Sequence, residues 1–439
     1  MAIVDKGIGP TDSYGGTCLN VGCIPTKMFV HTADVASAPA AGAGLGVDLE
    51  LQQVRWPDIR DRIFGRIDTI SESGRRYRAE ENPNVTLYTG LARFTGVKQL
   101  TVETADGPEE ITADQIVVAA GGRPRIPDIP GLDDVTYHTS DTVMRLEELP
   151  RRMIIVGGGF IGAEFMHIFS SLGVEVTLVA RSDRLLRQED HDISRRFTEL
   201  AAERSNVLLE RKQLGVEQHG GTIHLHLDGP QGPETVSGEV LLVATGRVPN
   251  TDLLDAAAGG LELTDAGKIK VDAHQRTSVP GVWALGDISS EYELKHVANH
   301  ETRVVQHNLL HPEQLQESDH RFVPHAVFSS PQIAAVGLTE QQAREQGVEH
   351  VTATQDYAGI AYGWAMEDTT GFAKLLADPN SGQLLGAHII GPQAPTLLQP
   401  LVQAMQFGLD ARRMARGQYW IHPAMPELIE NALLNLPLR

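Results

Sequence analysis

Short apolar runs, most of them ending at a glycine or a charged residue, recur along the chain. Five of them predict β-strands: Met1–Asp5, Ile116–Ala120, Met153–Val156, Val174–Val179 and Val240–Ala244. Most are continuously apolar, which is typical of strands covered on both faces in a parallel sheet. Glycines cluster in the adjoining loops, so the pattern predicts an α/β fold that binds nucleotides.

Helical periodicity marks other parts of the chain. Apolar residues recur at helical spacing from Trp56 to Ile70 and predict an amphipathic helix with no evident chemistry. Pro25 stands where a first helical position is expected, and Thr26–Val35 reads as the helix that follows. Beyond residue 320, the runs Ala334–Leu338 and Gly371–Leu376 predict strands, and a helical part follows them.

A glycine-rich turn lies between two of the predicted strands. The segment Gly157–Glu164 reads GGGFIGAE and runs into an apolar helix before the next strand, which completes a βαβ unit. In this setting the glycines allow a tight turn and a close approach to a pyrophosphate at the helix N-terminus. The unit therefore predicts a dinucleotide site.

The end of the second strand of that unit indicates which nucleotide binds. Arg181 follows the strand, and Arg187 lies six residues on. Two guanidinium groups suit a 2′-phosphate, whereas an acid at this position favours NAD. The alternative is that both arginines are solvated surface residues. The pattern favours NADPH.

The whole cysteine complement lies in one segment. Cys18 and Cys23 are the only two cysteines in 439 residues, and four residues separate them. Cys23 is expected at a helix N-terminus, where the helix dipole favours the thiolate. A structural disulfide or two inert buried thiols are the alternatives. Because structural disulfides are unusual in a reducing compartment, a redox-active pair is favoured.

A second chemical signal lies near the C-terminus. His422 is followed by a proline, and Glu427 comes five residues after it. A histidine is a natural proton carrier for thiol–disulfide exchange, and a carboxylate on its far ring nitrogen would set the tautomer. The pattern predicts an acid–base pair, although a lone histidine is more often a surface or core residue.

Composition excludes several classes of partner. The formal net charge of −20 argues against nucleic acid or an anionic membrane as the main partner. No apolar stretch reaches membrane-spanning length and no signal peptide is evident, so a cytoplasmic protein is expected. The histidines show no metal-ligand spacing; His224 and His226 alternate on a predicted strand as surface residues. No metal is expected.

These motifs together resemble the flavin-dependent pyridine nucleotide–disulfide oxidoreductases over nearly the whole chain. The resemblance rests on the cysteine segment, the glycine turn, the His-Pro-x-x-x-Glu spacing and the Gly281–Ile288 run. It implies two Rossmann-like dinucleotide-binding domains and a C-terminal α+β dimerisation domain. The implied boundaries are 1–150 with 269–320 for FAD, 151–268 for NADPH and 321–439 for the interface. A homodimer with an active site shared between subunits is also implied.

The resemblance also assigns roles to residues. Cys18 would be the interchange thiol and Cys23 the thiolate against the flavin. His422 with Glu427 would move the proton, and Lys27, paired with Glu164, would lie near the flavin. The FAD-binding residues would be Asp5, Gly16, Thr17, Lys27, Ala92 and Asp287. The NADPH-binding residues would be Gly157, Gly159, Phe160, Ile161, Gly162, Glu164, Arg181, Arg187 and Gly246, with Phe160 as an aromatic gate.

The predicted substrate also rests on resemblance. The segments Ile24–Val30, Leu294–Glu301 and Tyr419–Leu433 look most like the mycothione reductase branch of the family. That branch implies a small-molecule disulfide substrate, oxidised mycothiol. A dihydrolipoamide dehydrogenase-like enzyme is the alternative, disfavoured by the two arginines. Mercuric reductases need a C-terminal cysteine pair that the chain lacks.

The chain departs from the family pattern at its start. A flavin domain of this kind should have a strand, a glycine fingerprint and a helix before the strand that ends at Asp5, roughly thirty residues in all. The first βα unit of the FAD domain is therefore expected to be missing, through a start codon assigned too late or through truncation. A non-catalytic NADPH-binding protein that lacks FAD stays open as an alternative.

Overall fold

The computed structural model describes all 439 residues. Its first part contains β1 (Ala2–Asp5), α1 (Gly16–Asn20), α2 (Cys23–Ala36), α3 (Ala38–Gly44), α4 (Trp56–Arg76), β2 (Thr86–Thr89), β3 (Leu91–Gly96), β4 (Gln99–Thr104), β5 (Gly107–Thr112), β6 (Ile116–Val118) and β7 (Gly122–Pro124). The middle part contains β8 (Arg152–Val156), α5 (Phe160–Ser171), β9 (Glu175–Val179), α6 (His191–Arg204), β10 (Asn206–Leu208), β11 (Lys212–His219), β12 (Thr222–Gly229), β13 (Gly232–Gly238), β14 (Val240–Val243) and β15 (Arg247–Pro249).

The last part continues with β16 (Val282–Ala284), α7 (Lys295–Leu310), β17 (His325–Val327), β18 (Ile333–Gly337), α8 (Glu340–Glu345), β19 (Val351–Asp356), α9 (Ala361–Ala365), β20 (Phe372–Ala377), β21 (Leu384–Ile390), α10 (Ala394–Gln406), α11 (Ala411–Arg416) and α12 (Glu427–Leu434). No helix in the structure combines the length and the apolar character that crossing a membrane requires.

The middle part is built on a parallel sheet. Four strands lie in the order β10-β9-β8-β14, and β14 is buried along its whole length. The chain passes from β8 through α5 to β9, as the βαβ pattern predicts. An antiparallel meander, β11-β12-β13, adjoins this sheet. This arrangement places the start of α5 at the carboxyl edge of the parallel strands, where nucleotides bind in such folds.

The first part holds three small sheets. β1 pairs with β2 and β6 pairs with β16, both in parallel, while β3-β4-β5 form an antiparallel meander. Strand β16 follows the middle part in sequence but pairs with β6 of the first part. β1 is half-buried rather than buried: Ala2 is exposed and the next three residues are half-buried. The expected absence of the first βα unit of the FAD domain stays a prediction.

Aromatic packing supports the helix that carries the cysteines. The ring of Phe29 on α2 stacks on Trp56 of α4 at 5.2 Å between centroids. Helix α4 confirms the predicted amphipathic helix, but Ile70 is half exposed and does not belong to its buried face. Helix α2 begins at Cys23, two residues before the predicted first position, so Pro25 is its third residue.

The C-terminal part is an antiparallel sheet covered by helices. Its five strands lie in the order β17-β18-β21-β20-β19, and α10, α11 and α12 share one apolar core with them. Strands β18 and β20 confirm the two predicted strands with a shift of one residue. A parallel sheet with helices in the middle part and an antiparallel sheet with helices in the C-terminal part agree with the expected mixed α/β fold.

Candidate active site

The cysteines lie at consecutive helix starts. Cys18 belongs to the short α1, and Cys23 is the first residue of α2. Gly15 and Gly16 have positive φ angles of 107° and 77°, a conformation that lets the backbone turn into α1. The Asn20 side chain donates to the carbonyls of Tyr14 and Gly16 at 2.9 and 3.1 Å, which fixes this turn. Both thiols are free in the structure.

The two thiols share a hydrogen bond that favours Cys18 as the thiolate. The hydrogen bond from Cys23 is the main cause that lowers the pKa of Cys18 to about 7; burial opposes this shift and the Lys295 ammonium adds to it. The same bond raises the pKa of Cys23, since only one thiol of such a pair can be ionised at a time. The helix dipole favours Cys23 as the thiolate, so it opposes the influence of the hydrogen bond. The hydrogen bond agrees with the expected role of Cys18 as the attacking thiol, which stays a prediction.

A carboxylate lies close to the thiol pair. Asp287 is near enough to oppose ionisation of both cysteines. Burial and Glu293 raise the pKa of Asp287, while Arg247 lowers it. The turn that presents it is held by Glu301, which is 1% exposed and accepts a hydrogen bond from the Gly286 amide at 2.7 Å. An Asp287 carboxylate without a side-chain partner suits the hydroxyl groups of a ribityl chain, so this end of the site fits FAD.

The other expected FAD residues are spread over the first part. The Asp5 carboxylate accepts hydrogen bonds from the Gly7 and Gly15 amides at 2.8 and 3.3 Å, and so ties β1 to the cysteine loop. No atom blocks the space beside Gly16, next to Thr17. Ala92 lies in β3 with its side chain in the core, so a cofactor could meet only its backbone.

Lys27 and Glu164 converge on Phe328 instead of pairing directly. The Lys27 ammonium lies 4.1 Å from the centre of the Phe328 ring, and the Glu164 carboxylate accepts the Phe328 amide at 2.8 Å. Burial lowers the pKa of Lys27. Burial also raises the pKa of Glu164 to about 7. The expected ion pair is therefore not formed, although the two groups attract each other.

The glycine turn before α5 has the geometry that a dinucleotide site needs. A side chain at Gly157 would lie 2.1 Å from the Ala244 carbonyl, and one at Gly162 would lie 2.1 Å from the Gly157 carbonyl. These two positions therefore require glycine for the turn and for close helix packing. Gly159 has open space beside it, which leaves the backbone accessible to a phosphate. Phe160, the expected gate, is 49% exposed.

The residues expected to select the nucleotide surround this turn. Arg181 and Arg187 are exposed, whereas Arg184 between them pairs with Asp183. Neither Arg181 nor Arg187 forms an ion pair or a hydrogen bond in the structure. Gly246, at a positive φ of 102°, has open space beside it. Ile161 is half-buried in the first turn of α5. The turn and its free arginines thus fit a nucleotide that carries an additional phosphate.

The predicted acid–base pair exists. His422 Nδ1 lies 2.7 Å from Glu427 Oε1, and the other oxygen of Glu427 accepts the Ala424 amide at 3.2 Å. This hydrogen bond orients the ring, and the His422 side chain remains 70% exposed. Within one chain His422 forms no contact with either cysteine. Its Nε2 is therefore available to a group outside its own subunit.

Sequence reasoning missed three residues of this region. Lys295 lowers the pKa of Cys18. Glu301 accepts a hydrogen bond from the turn that presents Asp287. Phe328 contacts both Lys27 and Glu164. Lys295 and Glu301 lie in the run that resembled one branch of the family, which was the available signal. Phe328 lies in a loop with no motif. No group of histidine, cysteine or acidic residues is arranged to hold a metal ion.

A thiol pair beside a flavin-type site, joined to a nucleotide-binding βαβ unit, defines a nucleotide-dependent disulfide oxidoreductase. The chain belongs to the pyridine nucleotide–disulphide oxidoreductase family: the family model matches residues 3–302, and the dimerisation domain of the same family matches 323–433. It is an NAD(P)H-dependent FAD disulfide reductase, and the expected cofactors FAD and NADPH are confirmed. The dimerisation domain supports a homodimer.

Relatives and solved structures agree with this family. The mycothione reductase of Mycobacterium tuberculosis (strain ATCC 25618 / H37Rv) is 54% identical over 431 residues, 97% of this chain and 93% of the relative. The dihydrolipoyl dehydrogenase of Vibrio cholerae is 30% identical over 97% of this chain and 90% of the relative. The HOCl-induced flavoprotein disulfide reductase RclA from Escherichia coli has a TM-score of 0.84 and 27% identity, covering 99% of this chain and 93% of that structure.

Proposed function

We propose that the protein reduces oxidised mycothiol, or a closely similar low-molecular-weight disulfide, to thiols with electrons from NADPH. The observation that carries the chemistry is the Cys18–Cys23 pair, in which one thiol donates to the other and lowers its pKa to about 7. The choice of mycothione rests on the 54% identity to the Mycobacterium tuberculosis enzyme. Dihydrolipoyl dehydrogenases are more distant relatives, at about 30%.

The residues of the chain account for the exchange step. The Cys18 thiolate attacks one sulfur of the substrate, forms a mixed disulfide and releases the first substrate thiolate, which the partner subunit's His422 protonates. The Cys23 sulfur, losing its proton, then attacks Cys18, which releases the second thiol and leaves a Cys18–Cys23 disulfide. Bound FAD supplies the path by which two electrons from NADPH return this disulfide to two thiols.

Each group of residues has a place in this scheme. Asp287 and Asp5, with Gly16 and Thr17, hold the flavin nucleotide. Lys27, whose pKa is lowered by burial, lies near the thiol pair in sequence and one helical turn along α2 from Cys23. We assign residues 1–150 and 269–320 to FAD, 151–268 to NADPH and 321–439 to the dimer interface.

The dimer completes the site in this proposal. Tyr419 and Ile421 beside His422 are fully or largely exposed, although both are apolar. Exposed apolar side chains of this kind indicate a surface that a partner covers. A second copy seated there would bring its cysteines to His422, whose Nε2 has no partner in its own chain.

Steady-state turnover tests the substrate assignment. NADPH oxidation should be fast with oxidised mycothiol, and slow with glutathione disulfide or lipoamide. Comparable rates with lipoamide would favour the dihydrolipoamide dehydrogenase alternative. An anaerobic visible spectrum before and after NADPH comes first, because a protein without flavin absorbance would favour the non-catalytic alternative.

Nucleotide preference is tested separately. Replacing Arg181 and Arg187 together by alanine should weaken NADPH binding and leave NADH binding nearly unchanged, since only NADPH carries the 2′-phosphate. Arg184→Ala is the matched control, because Arg184 lies in the same loop but already pairs with Asp183. Equal losses for both nucleotides would contradict the 2′-phosphate assignment.

A further inference from the structure

The loop that carries the two free arginines is anchored at both ends. It runs from Arg181 to Asp190, between β9 and α6. Near its middle the Leu186 amide donates to the Gly158 carbonyl at 2.8 Å, which ties the loop to the glycine turn. Arg187 is exposed, but Glu189 and Asp190, two and three residues later, are buried. The loop therefore passes from the nucleotide site into the protein interior within three residues.

The buried end of the loop meets a lysine from the C-terminal sheet. Lys374 of β20 is 3% exposed, and its ammonium lies 2.9 Å from Asp190 Oδ1, 2.7 Å from Asp192 Oδ2 and 2.7 Å from Glu340 Oε2. Asp190 is fully buried and also accepts the backbone amides of Asp192 and Glu340, both at 3.0 Å. One cation thus joins the start of α6 to β20 and α8.

A second set of contacts holds the neighbouring residue. His325 Nε2 lies 2.7 Å from Glu189 Oε1, and the Gln341 amide donates to the Glu189 carbonyl at 2.9 Å. Gln341 also accepts the His191 amide at 3.3 Å. Every one of these partners except His191 comes from residues beyond 320, so the backbone next to Arg187 is held by the C-terminal part of the chain.

The contacts of Glu189 and Asp190, called the anchor of the loop, are what constrain the position of Arg187. The guanidinium of Arg187 has no partner, so its position depends on the backbone that leads into Glu189 and Asp190. A buried charge network has few alternative arrangements, since removal of one member leaves an uncompensated buried charge. Breaking the anchor therefore frees the loop at the residue that would meet a 2′-phosphate.

We propose that Lys374 and Gln341 are positioning residues for nucleotide selectivity: they hold the Arg181–Asp190 loop so that Arg187 meets the 2′-phosphate of NADPH. The inference rests on the proposed preference for NADPH. Neither residue touches the nucleotide, and both act through the loop backbone. The C-terminal part of the chain thereby contributes to cofactor choice as well as to dimer formation.

The test compares two dissociation constants on the full-length protein. Isothermal titration of NADP⁺ and of NAD⁺ gives a selectivity ratio that does not depend on turnover or on the flavin. Lys374→Met should raise the Kd for NADP⁺ roughly tenfold, and Gln341→Ala roughly threefold, the factors expected for charged and neutral hydrogen bonds respectively. The Kd for NAD⁺ should change less than about twofold in both variants, because NAD⁺ has no group for Arg187.

Two controls separate positioning from a general loss of stability. Lys268→Met removes another buried lysine, bonded to Glu293 and the Ser290 carbonyl, and should leave the selectivity ratio unchanged. Lys374→Arg should restore part of the ratio. If Lys374→Met does not fold, Gln341→Ala decides the outcome, since it leaves no buried charge unpaired.

The same titrations test the NADPH preference and the positioning role of Lys374 and Gln341 separately. An unaltered protein that binds NAD⁺ as tightly as NADP⁺ would overturn the proposed NADPH preference and this inference with it. The positioning role alone would be overturned by either of two results. In the first, the unaltered protein prefers NADP⁺ and both Gln341→Ala and Lys374→Met keep that preference. In the second, the variants weaken the binding of NADP⁺ and NAD⁺ equally.

Discussion

Replacement of Cys23 by alanine should return Cys18 to an ordinary thiol. The hydrogen bond from Cys23 is the largest cause that lowers the pKa of Cys18 from 9.0 to about 7. With a pKa of about 7, about half of Cys18 is ionised at pH 7. Burial raises this pKa and Lys295 lowers it, and both influences remain in the variant. An ordinary thiol with a pKa of 9.0 is about one hundredth ionised at pH 7, so a return to that value lowers thiolate reactivity about fiftyfold.

Alkylation of the reduced protein by iodoacetamide measures this directly. The rate at Cys18, followed by peptide mass spectrometry between pH 5 and pH 10, should show a midpoint near 7 in the unaltered protein and near 9 in Cys23→Ala. Lys295→Met is the matched variant, because the Lys295 ammonium also lowers the pKa of Cys18. It should raise the midpoint by less than Cys23→Ala does. An unchanged midpoint in Cys23→Ala would refute the assignment of the hydrogen bond as the main cause.

Three further changes have defined outcomes. His422→Gln should lower kcat for disulfide reduction by about 10²–10⁴ while Cys18 alkylation stays unchanged; full turnover would remove His422 from proton transfer. Gly162→Ala should abolish nucleotide binding, because its Cβ would lie 2.1 Å from the Gly157 carbonyl, and normal NADP⁺ titration would contradict this geometry. Glu164 has a folded-state pKa of about 7 against 4.5 in the unfolded chain. Between pH 4.5 and about pH 7, Glu164 is therefore protonated in the folded protein and ionised in the unfolded chain. The free energy of unfolding falls as pH rises through this range, by up to about 3 kcal/mol. Glu164→Gln should reduce the difference in melting temperature between pH 5 and pH 8; an unaltered difference would exclude Glu164 as its source.

Local motifs predicted the elements that carry the chemistry. The βαβ unit from Met153 to Val179 appears as predicted, because a continuous apolar run followed by a glycine turn has few other low-energy arrangements. The pairing of His422 with Glu427 also followed from spacing alone, since five residues suffice for the carboxylate to reach the ring. Short-range spacing of this kind is visible in a sequence.

Errors arose where the outcome depends on what packs against a residue. The apolar pattern included Ile70 in the buried face of α4, but Ile70 is half exposed, and at that end of the helix Ser71 is the buried residue. The same pattern made β1 a buried strand, whereas none of its four residues is fully buried. The family resemblance implied a pairing of Lys27 with Glu164, yet Lys27 lies against the Phe328 ring and Glu164 accepts the Phe328 amide.

The sequence by itself determined the family and the two cofactors, because these depend on motifs that are each contiguous in the chain. Only the tertiary structure shows that Lys295 and Asp287 lie near the two thiols, where they act on the pKa values of the pair through space. It also decided what anchors the arginine loop, because Asp190 and Lys374 lie 184 residues apart and meet only in the folded chain. Contacts between residues so far apart in sequence depend on how the whole chain packs, and no local pattern encodes them.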